Sequence, residues 1–136
     1  MVKMKAVYEG DLHCRITHGP SGNVIETDAP VDNMGKGENF SPTDLLAAAL
    51  GSCMLTVMGV AAQPHNIDLT GSTVEIEKEM VTQPVRRIGK IALRFRMAAG
   101  IALDKRPMLE RAAAACPIQK SIGHEVEMPV SFEYPD

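Results

Sequence analysis

The sequence predicts a fold that mixes two helices with antiparallel strands. Three observations lead there. Short strand-like segments broken by turn residues occupy the opening, a capped apolar helix starts at residue 41, and a period-two segment at 88–98 follows another alternating stretch.

In order, KMKAVYE (3–9) and DLHCRIT (11–17) read as strands parted by Gly10. HGPSGN (18–23) is a turn, and VIETDAP (24–30) is a third strand running into a loop, which makes the opening an antiparallel meander. The loop PVDNMGKGENF (30–40) is polar, and its GKG is too short to cradle a phosphate. Ser41 then suits a helix N-cap and Pro42 the first helical position, while Asp44 completes an S-x-x-D capping box. Leu46, Leu50, Cys53 and Val57 recur at helical spacing, flanked by Ala49 and Met54, so the expected apolar face carries Cys53. This helix runs through Val60 and stops before Gln63-Pro64.

STVEIEKEMVT (72–82) is a strand with Val74, Ile76 and Lys78 on one face. IGKIALRFRMA (88–98) aligns Ile91, Leu93, Phe95 and Met97, and the two strands form a hairpin. Asp104 is the expected cap of a second helix that has Pro107 in its first turn and Leu109, Ala112, Ala113 and Cys116 along one face. Pro117 has no amide proton to donate, so Cys116 marks a break in that helix. EVEMPVSFEY closes the chain as a last strand.

A chain of 136 residues fits one domain, 1–136, with a core that needs no disulfide staples. With 4% aromatic residues and no tryptophan, that core is filled by Ala, Val, Leu, Ile and Met. A formal charge of -3 excludes the concentrated basic surface that nucleic acid requires. No segment is expected to reach the roughly 18 apolar residues of a membrane span. MVKMKAVYEG lacks the apolar stretch of a signal peptide, so the expected location is cytoplasmic. Three widely spaced cysteines make no secreted disulfide framework, and the absence of C-x-x-C removes a thioredoxin-like reading.

Cys53 and Cys116 each stand on an Ala-rich apolar helix face, and two such faces can approach closely, which would let the sulfurs meet. A cysteine in that setting is most often a small core residue. Reactivity needs a thiolate, and lowering a thiol pKa by two units takes about 2.7 kcal/mol of differential stabilisation. A helix N-terminus created by Pro117 favours Cys116 in this respect more than Cys53.

SPTDLLAAALGSC followed by AAAACPIQKSI, with a hairpin between them and a meander before, resembles the OsmC/Ohr family of osmotically induced and organic hydroperoxide resistance proteins. Nearly the whole chain follows the family's element order. The resemblance implies an α+β, OsmC-like fold, with antiparallel sheets packed around two central helices in an intertwined homodimer. It also implies a thiol peroxidase of oxidative stress defence acting on organic hydroperoxides. Cys53 matches the cysteine that becomes a sulfenic acid, and Cys116 the one that condenses with it to a disulfide. An external thiol or dithiol, such as a lipoyl group, then reduces the pair, and no metal or organic cofactor is called for.

The peroxidase members carry a Glu after the helix-starting Pro where this chain has Thr43, with Asp44 next to it. They also place an Arg ahead of this helix. Lys36 in the loop and Arg15 in the second strand are the candidates here for activating the thiolate. Cys14 matches nothing in the pattern, and His13, His18, His65 and His124 are scattered. Two other functions fit the residues: a non-enzymatic OsmC-like protein holding a small apolar ligand in its dimer crevice, and a metal-binding variant using Cys53, Cys116 and His18.

Overall fold

Gly10 sits where the first strand must turn, and its φ of 88° is one that a side chain rarely allows. In the computed structural model, which describes Met1–Asp136, it closes β1 (Met4–Gly10) and leads into β2 (His13–His18). A second turn, with Gly22 donating to the His18 carbonyl at 2.8 Å, returns the chain as β3 (Val24–Asp28). The three strands form an antiparallel sheet in the order β1-β2-β3, which is the expected meander. Met1–Leu46 form one compact unit and Ala47–Asp136 a second.

Successive side chains of a strand alternate between faces, so the register sorts the first sheet. Tyr8 pairs with Cys14 and Cys14 with Thr27, while Ala6 pairs with Ile16 and Ile16 with Ile25. That face is mostly apolar, and Met4, Tyr8 and Ile25 on it are exposed. The opposite face carries His13, Arg15, Glu26 and Asp28.

In the second unit, β4 (Thr73–Val81) and β5 (Arg87–Arg96) form the expected antiparallel hairpin. Ile91, Leu93, Phe95 and Met97 are all buried, as their alternation requires. One pairing departs from the antiparallel expectation: β6 (Val130–Glu133) runs parallel to β5, so this sheet is mixed, in the order β4-β5-β6. Parallel pairing needs a long crossover. The segment between β5 and β6 supplies it through α2 (Arg106–Ala114) and α3 (Pro117–Ser121).

The long helix α1 (Pro42–Ala62) starts as its capping box dictates. The Asp44 amide donates to Ser41 Oγ and the Ser41 amide donates to Asp44 Oδ2, each at 3.0 Å. Its buried stripe is Ala47, Leu50, Gly51, Met54, Met58 and Ala62, rotated from the expected one; Leu46 is exposed, and Cys53 and Val57 lie half-buried on the flank. The helix is apolar nearly all round, so periodicity alone does not select its inward face. Gly51 does, because a Cβ there would stand 2.5 Å from Ile76 Cδ1 and 3.2 Å from Val74 Cγ1 on β4. Gly51→Leu is therefore expected to cost roughly 3 kcal/mol by overpacking. Gly51→Ala stays within about 1 kcal/mol of wild type, since the gain in helix propensity offsets a small shift of Ile76. Urea midpoints check this, and a Leu variant as stable as wild type would contradict it.

The stretch Pro42–His65 is long and apolar enough to cross a membrane by length and composition, contrary to the expectation that no segment is. Its close approach to β4 at Gly51 and its buried stripe are those of a core helix.

Asp104 does not cap α2 as expected. It lies within a 3-10 turn, Leu103–Lys105, and Lys105 before the helix is already helical at φ -92°, ψ -18°, with no side-chain cap bond. A cap residue needs an extended backbone, and the 3-10 turn feeding straight into α2 leaves none. Phe95 stacks on Phe132 with ring centroids 4.9 Å apart, tying β5 to β6. Tyr134 donates to Glu110 Oε2 at 2.9 Å with the Arg106 guanidinium 4.3 Å over its ring, which anchors the C-terminal segment to α2.

Candidate functional site

Pro117 disfavours a helical backbone at the residue before it, and Cys116 accordingly adopts φ -55°, ψ 127°. The break ends α2 and starts α3, with Cys116 as the N-cap between them. The Cys116 amide still reaches back to the Ala113 carbonyl at 3.1 Å, which ties its backbone to the end of α2. Its residue is 0% exposed and belongs to the core cluster with Leu50, Met54 and Leu109.

Cys53 stands on the flank of α1, half-buried and packed against the same cluster. The two cysteines so far apart in sequence come together there: both are free thiols, and Cys53 is near enough to Cys116 to act on its titration. Burial pushes the Cys116 thiol up from its ordinary pKa, and the neighbouring Cys53 side chain adds to the rise. The amides of Gln119 and Ile118 pull the other way without reversing it. The helix start at Pro117 thus does not make Cys116 the reactive thiol, because desolvation outweighs the amides of a five-residue helix.

The arrangement is asymmetric in a chemically useful way. One thiol is half-accessible, and the other is sealed, held protonated by burial and packed in the same cluster. Oxidation of the accessible sulfur brings an electrophile next to a waiting thiol.

Four other residues were expected near this chemistry. Thr43 and Asp44 occupy the first turn of α1, where the Thr43 and Ser41 hydroxyls are 3.1 Å apart and Asp44 completes the capping box. They lie about two and a half turns before Cys53, roughly 14 Å along the axis. Arg15 is exposed on β2, opposite Val7 and Glu26 in register. Lys36 is exposed on the loop and borders a cavity of ≈ 220 Å³ shared with His13, Asp28 and Glu38. His18 is bound to Ser21 Oγ at 2.6 Å in its turn, and Cys14 lines a separate cavity of ≈ 300 Å³ with Tyr8, Leu12 and Pro42.

Sequence reasoning missed Gln119. Its Oε1 is buried without a hydrogen-bond partner, one turn beyond the Cys116 thiol that its own amide contacts. It is an acceptor suited to a hydroxyl. The only signal in the sequence was its place in CPIQ, three residues after the cysteine.

Comparison with known proteins bears on this site. The sequence model of the family described as OsmC-like protein matches residues 35–131. The chain is 41% identical to a provisionally named osmotic stress induced and detoxification response protein of Psychrobacter arcticus 273-4. It superposes on that crystal structure with a TM-score of 0.91, covering 98% of this chain and 96% of that one. An organic hydroperoxide resistance protein OsmC of Legionella pneumophila gives a TM-score of 0.76 at 20% identity, over 98% and 96% of the two chains. The organic hydroperoxide resistance protein OhrB of Bacillus subtilis gives 0.69 at 19%, over 98% of each, and both of these likenesses concern the fold. No curated protein matches the sequence.

Proposed function

Because the chain belongs to the OsmC-like protein family, we propose that it is a thiol peroxidase of oxidative stress defence that reduces organic hydroperoxides. The observation that carries this reading is the juxtaposition of the half-accessible Cys53 and the buried Cys116 in one core cluster. Names among the structural relatives support the substrate class, since two of them are organic hydroperoxide resistance proteins.

The Cys53 thiolate attacks the terminal peroxide oxygen, the O–O bond breaks, and the alkoxide leaves with a proton as the alcohol. Cys53 is then a sulfenic acid. The Cys116 sulfur attacks the sulfenic sulfur, the S–O bond breaks, and the Cys116 proton leaves with the hydroxide as water. Two electrons from an external dithiol, of the lipoyl type, restore both thiols by exchange. No metal or organic cofactor enters these steps. A cysteine that keeps its proton until the sulfenic acid forms suits the second role, which fits the raised pKa of Cys116.

The reading includes a single OsmC-like domain over residues 1–136, working in the cytoplasm as a homodimer. Exposed apolar residues on one face of the first sheet, among them Tyr8 and Ile25, together with Leu46 and Val60 on α1, favour a second copy of the chain as their cover. The cation that favours the Cys53 thiolate is assigned to Arg15 or Lys36, with Thr43 and Asp44 setting the helix start.

Replacing Cys116 by serine tests the order of events. The variant is expected to consume one equivalent of an organic hydroperoxide and then stop, with Cys53 labelled by a sulfenic-acid reagent or converted to sulfinic acid. Undiminished turnover in Cys116→Ser would contradict its role.

A further inference from the structure

His13 opens β2 opposite Asp28 of β3, and Glu26, two positions earlier on β3, points to the same face. Glu9 reaches that face from the bulge between Tyr8 and Gly10 of β1. Three strands thus converge one imidazole and three carboxylates within the first unit.

Their roles separate by burial. Asp28 is 8% exposed and is fixed on two sides: its Oδ2 accepts from Asn39 Nδ2 at 2.9 Å, and its amide donates to the Phe40 carbonyl at 3.2 Å. Its Oδ1 lies 2.7 Å from His13 Nδ1. With Nδ1–H donating to this fixed carboxylate, the neutral ring carries its lone pair on Nε2. That nitrogen stands 3.2 Å from Glu26 Oε1 and 3.5 Å from Glu9 Oε1, and the three donor atoms lie within 4.8 Å of one another. Bonds of about 2.0–2.2 Å to a tetrahedral ion place ligand atoms about 3.3–3.6 Å apart. The 3.5 Å spacing to Glu9 falls in that range and the 3.2 Å hydrogen-bond spacing to Glu26 lies just below it. A zinc ion that replaces the shared proton therefore needs only a small outward shift of the exposed Glu26 side chain. Both glutamates are partly solvent-exposed, leaving a fourth position open.

The surrounding charge favours a cation. Asp11 and Glu38 border the adjoining cavity, whereas the positive groups nearby are Lys36 on its rim and Arg15 opposite Glu26. An imidazole in the donor set selects a transition metal over calcium or magnesium, which prefer oxygen alone.

We propose that His13 Nε2, Glu9 and Glu26 form a binding site for one divalent metal ion of the zinc class, with Asp28 as the residue that positions the imidazole. The ion clips β1, β2 and β3 together at one end of the meander. The site is independent of the peroxidase reading.

The test is a zinc chloride titration of the full-length, tag-free reduced protein, followed by the ring signals of its four histidines in NMR spectra. Calcium is titrated in parallel. One equivalent of zinc is expected to shift the His13 ring while His18, His65 and His124 stay in place. Glu9→Gln with Glu26→Gln abolishes that shift, and Asp28→Asn weakens it about 10- to 100-fold. The two glutamates are exposed, so amide signal dispersion is expected to remain native in the double variant. It keeps the test valid if Asp28→Asn fails to fold. A His13 ring unmoved by zinc, including the case where zinc goes to the thiols, would overturn the site, as would unchanged affinity in the double variant. An equal response to calcium would overturn the zinc-class assignment.

Discussion

Cys53→Ser is expected to remove organic hydroperoxide turnover, with a loss on the order of 10³-fold or more, as when a catalytic nucleophile is deleted. Sulfur chemistry and access to the thiol both make Cys53 irreplaceable. A thiol is a few per cent thiolate at neutral pH and intrinsically nucleophilic, whereas a serine hydroxyl is neither ionised nor soft enough to cleave an O–O bond. Cys116 cannot take over, because it is fully buried and burial holds its thiol protonated. The serine is nearly isosteric on a half-buried flank of α1, so the far-ultraviolet spectrum and urea midpoint remain close to wild type. Peroxide consumption with a dithiol reductant is the measurement. Activity within a few-fold of wild type would remove Cys53 from the mechanism.

The largest loss of stability is expected from Phe95→Ala, about 3–5 kcal/mol. Phe95 is 2% exposed near the C-terminal end of β5 and stacks on Phe132 of the parallel strand β6. In a core built mostly from Ala, Leu, Ile and Met, few neighbours are large enough to fill the space that its ring leaves. The change removes both its buried area and the contact that joins β5 to β6. For a chain of this length the melting temperature falls by roughly 10–20 °C. Val85→Ala, at an exposed position between β4 and β5, stays within about 0.5 kcal/mol and serves as the control. A Phe95→Ala protein that melts with the Val85 variant would mean that β6 is held by other contacts.

Local chemistry explains which features were legible in the sequence. The start of α1 was, because Ser41, Pro42 and Asp44 satisfy the helix end among themselves. The inward face of β5 was, because alternation from Ile91 to Met97 has one interpretation. The break at Cys116 was legible through Pro117. The inward face of α1 was not, since Leu46 and Leu50 are equally apolar and only the contact of Gly51 with Ile76 distinguishes their sides. Nor was the direction of β6, which depends on the crossover through α2 and α3 and leaves no mark in the strand itself.

The candidate site divides in the same way. Cys53 and Cys116 stood out by their helices, but which one is accessible depends on the rotation of α1 and on the burial of the Cys116 junction. The His13 group was invisible because its members are ordinary strand residues until the register of three strands and one bulge aligns them.

The most direct test of the peroxidase account is peptide mass spectrometry without reduction, after brief exposure of the reduced protein to one equivalent of an organic hydroperoxide. Hydrogen peroxide is run in parallel. The account predicts a rapid disulfide between the Cys53 and Cys116 peptides, formed faster with the organic oxidant, and an unmodified Cys14. Free Cys53 and Cys116 after that exposure would contradict it.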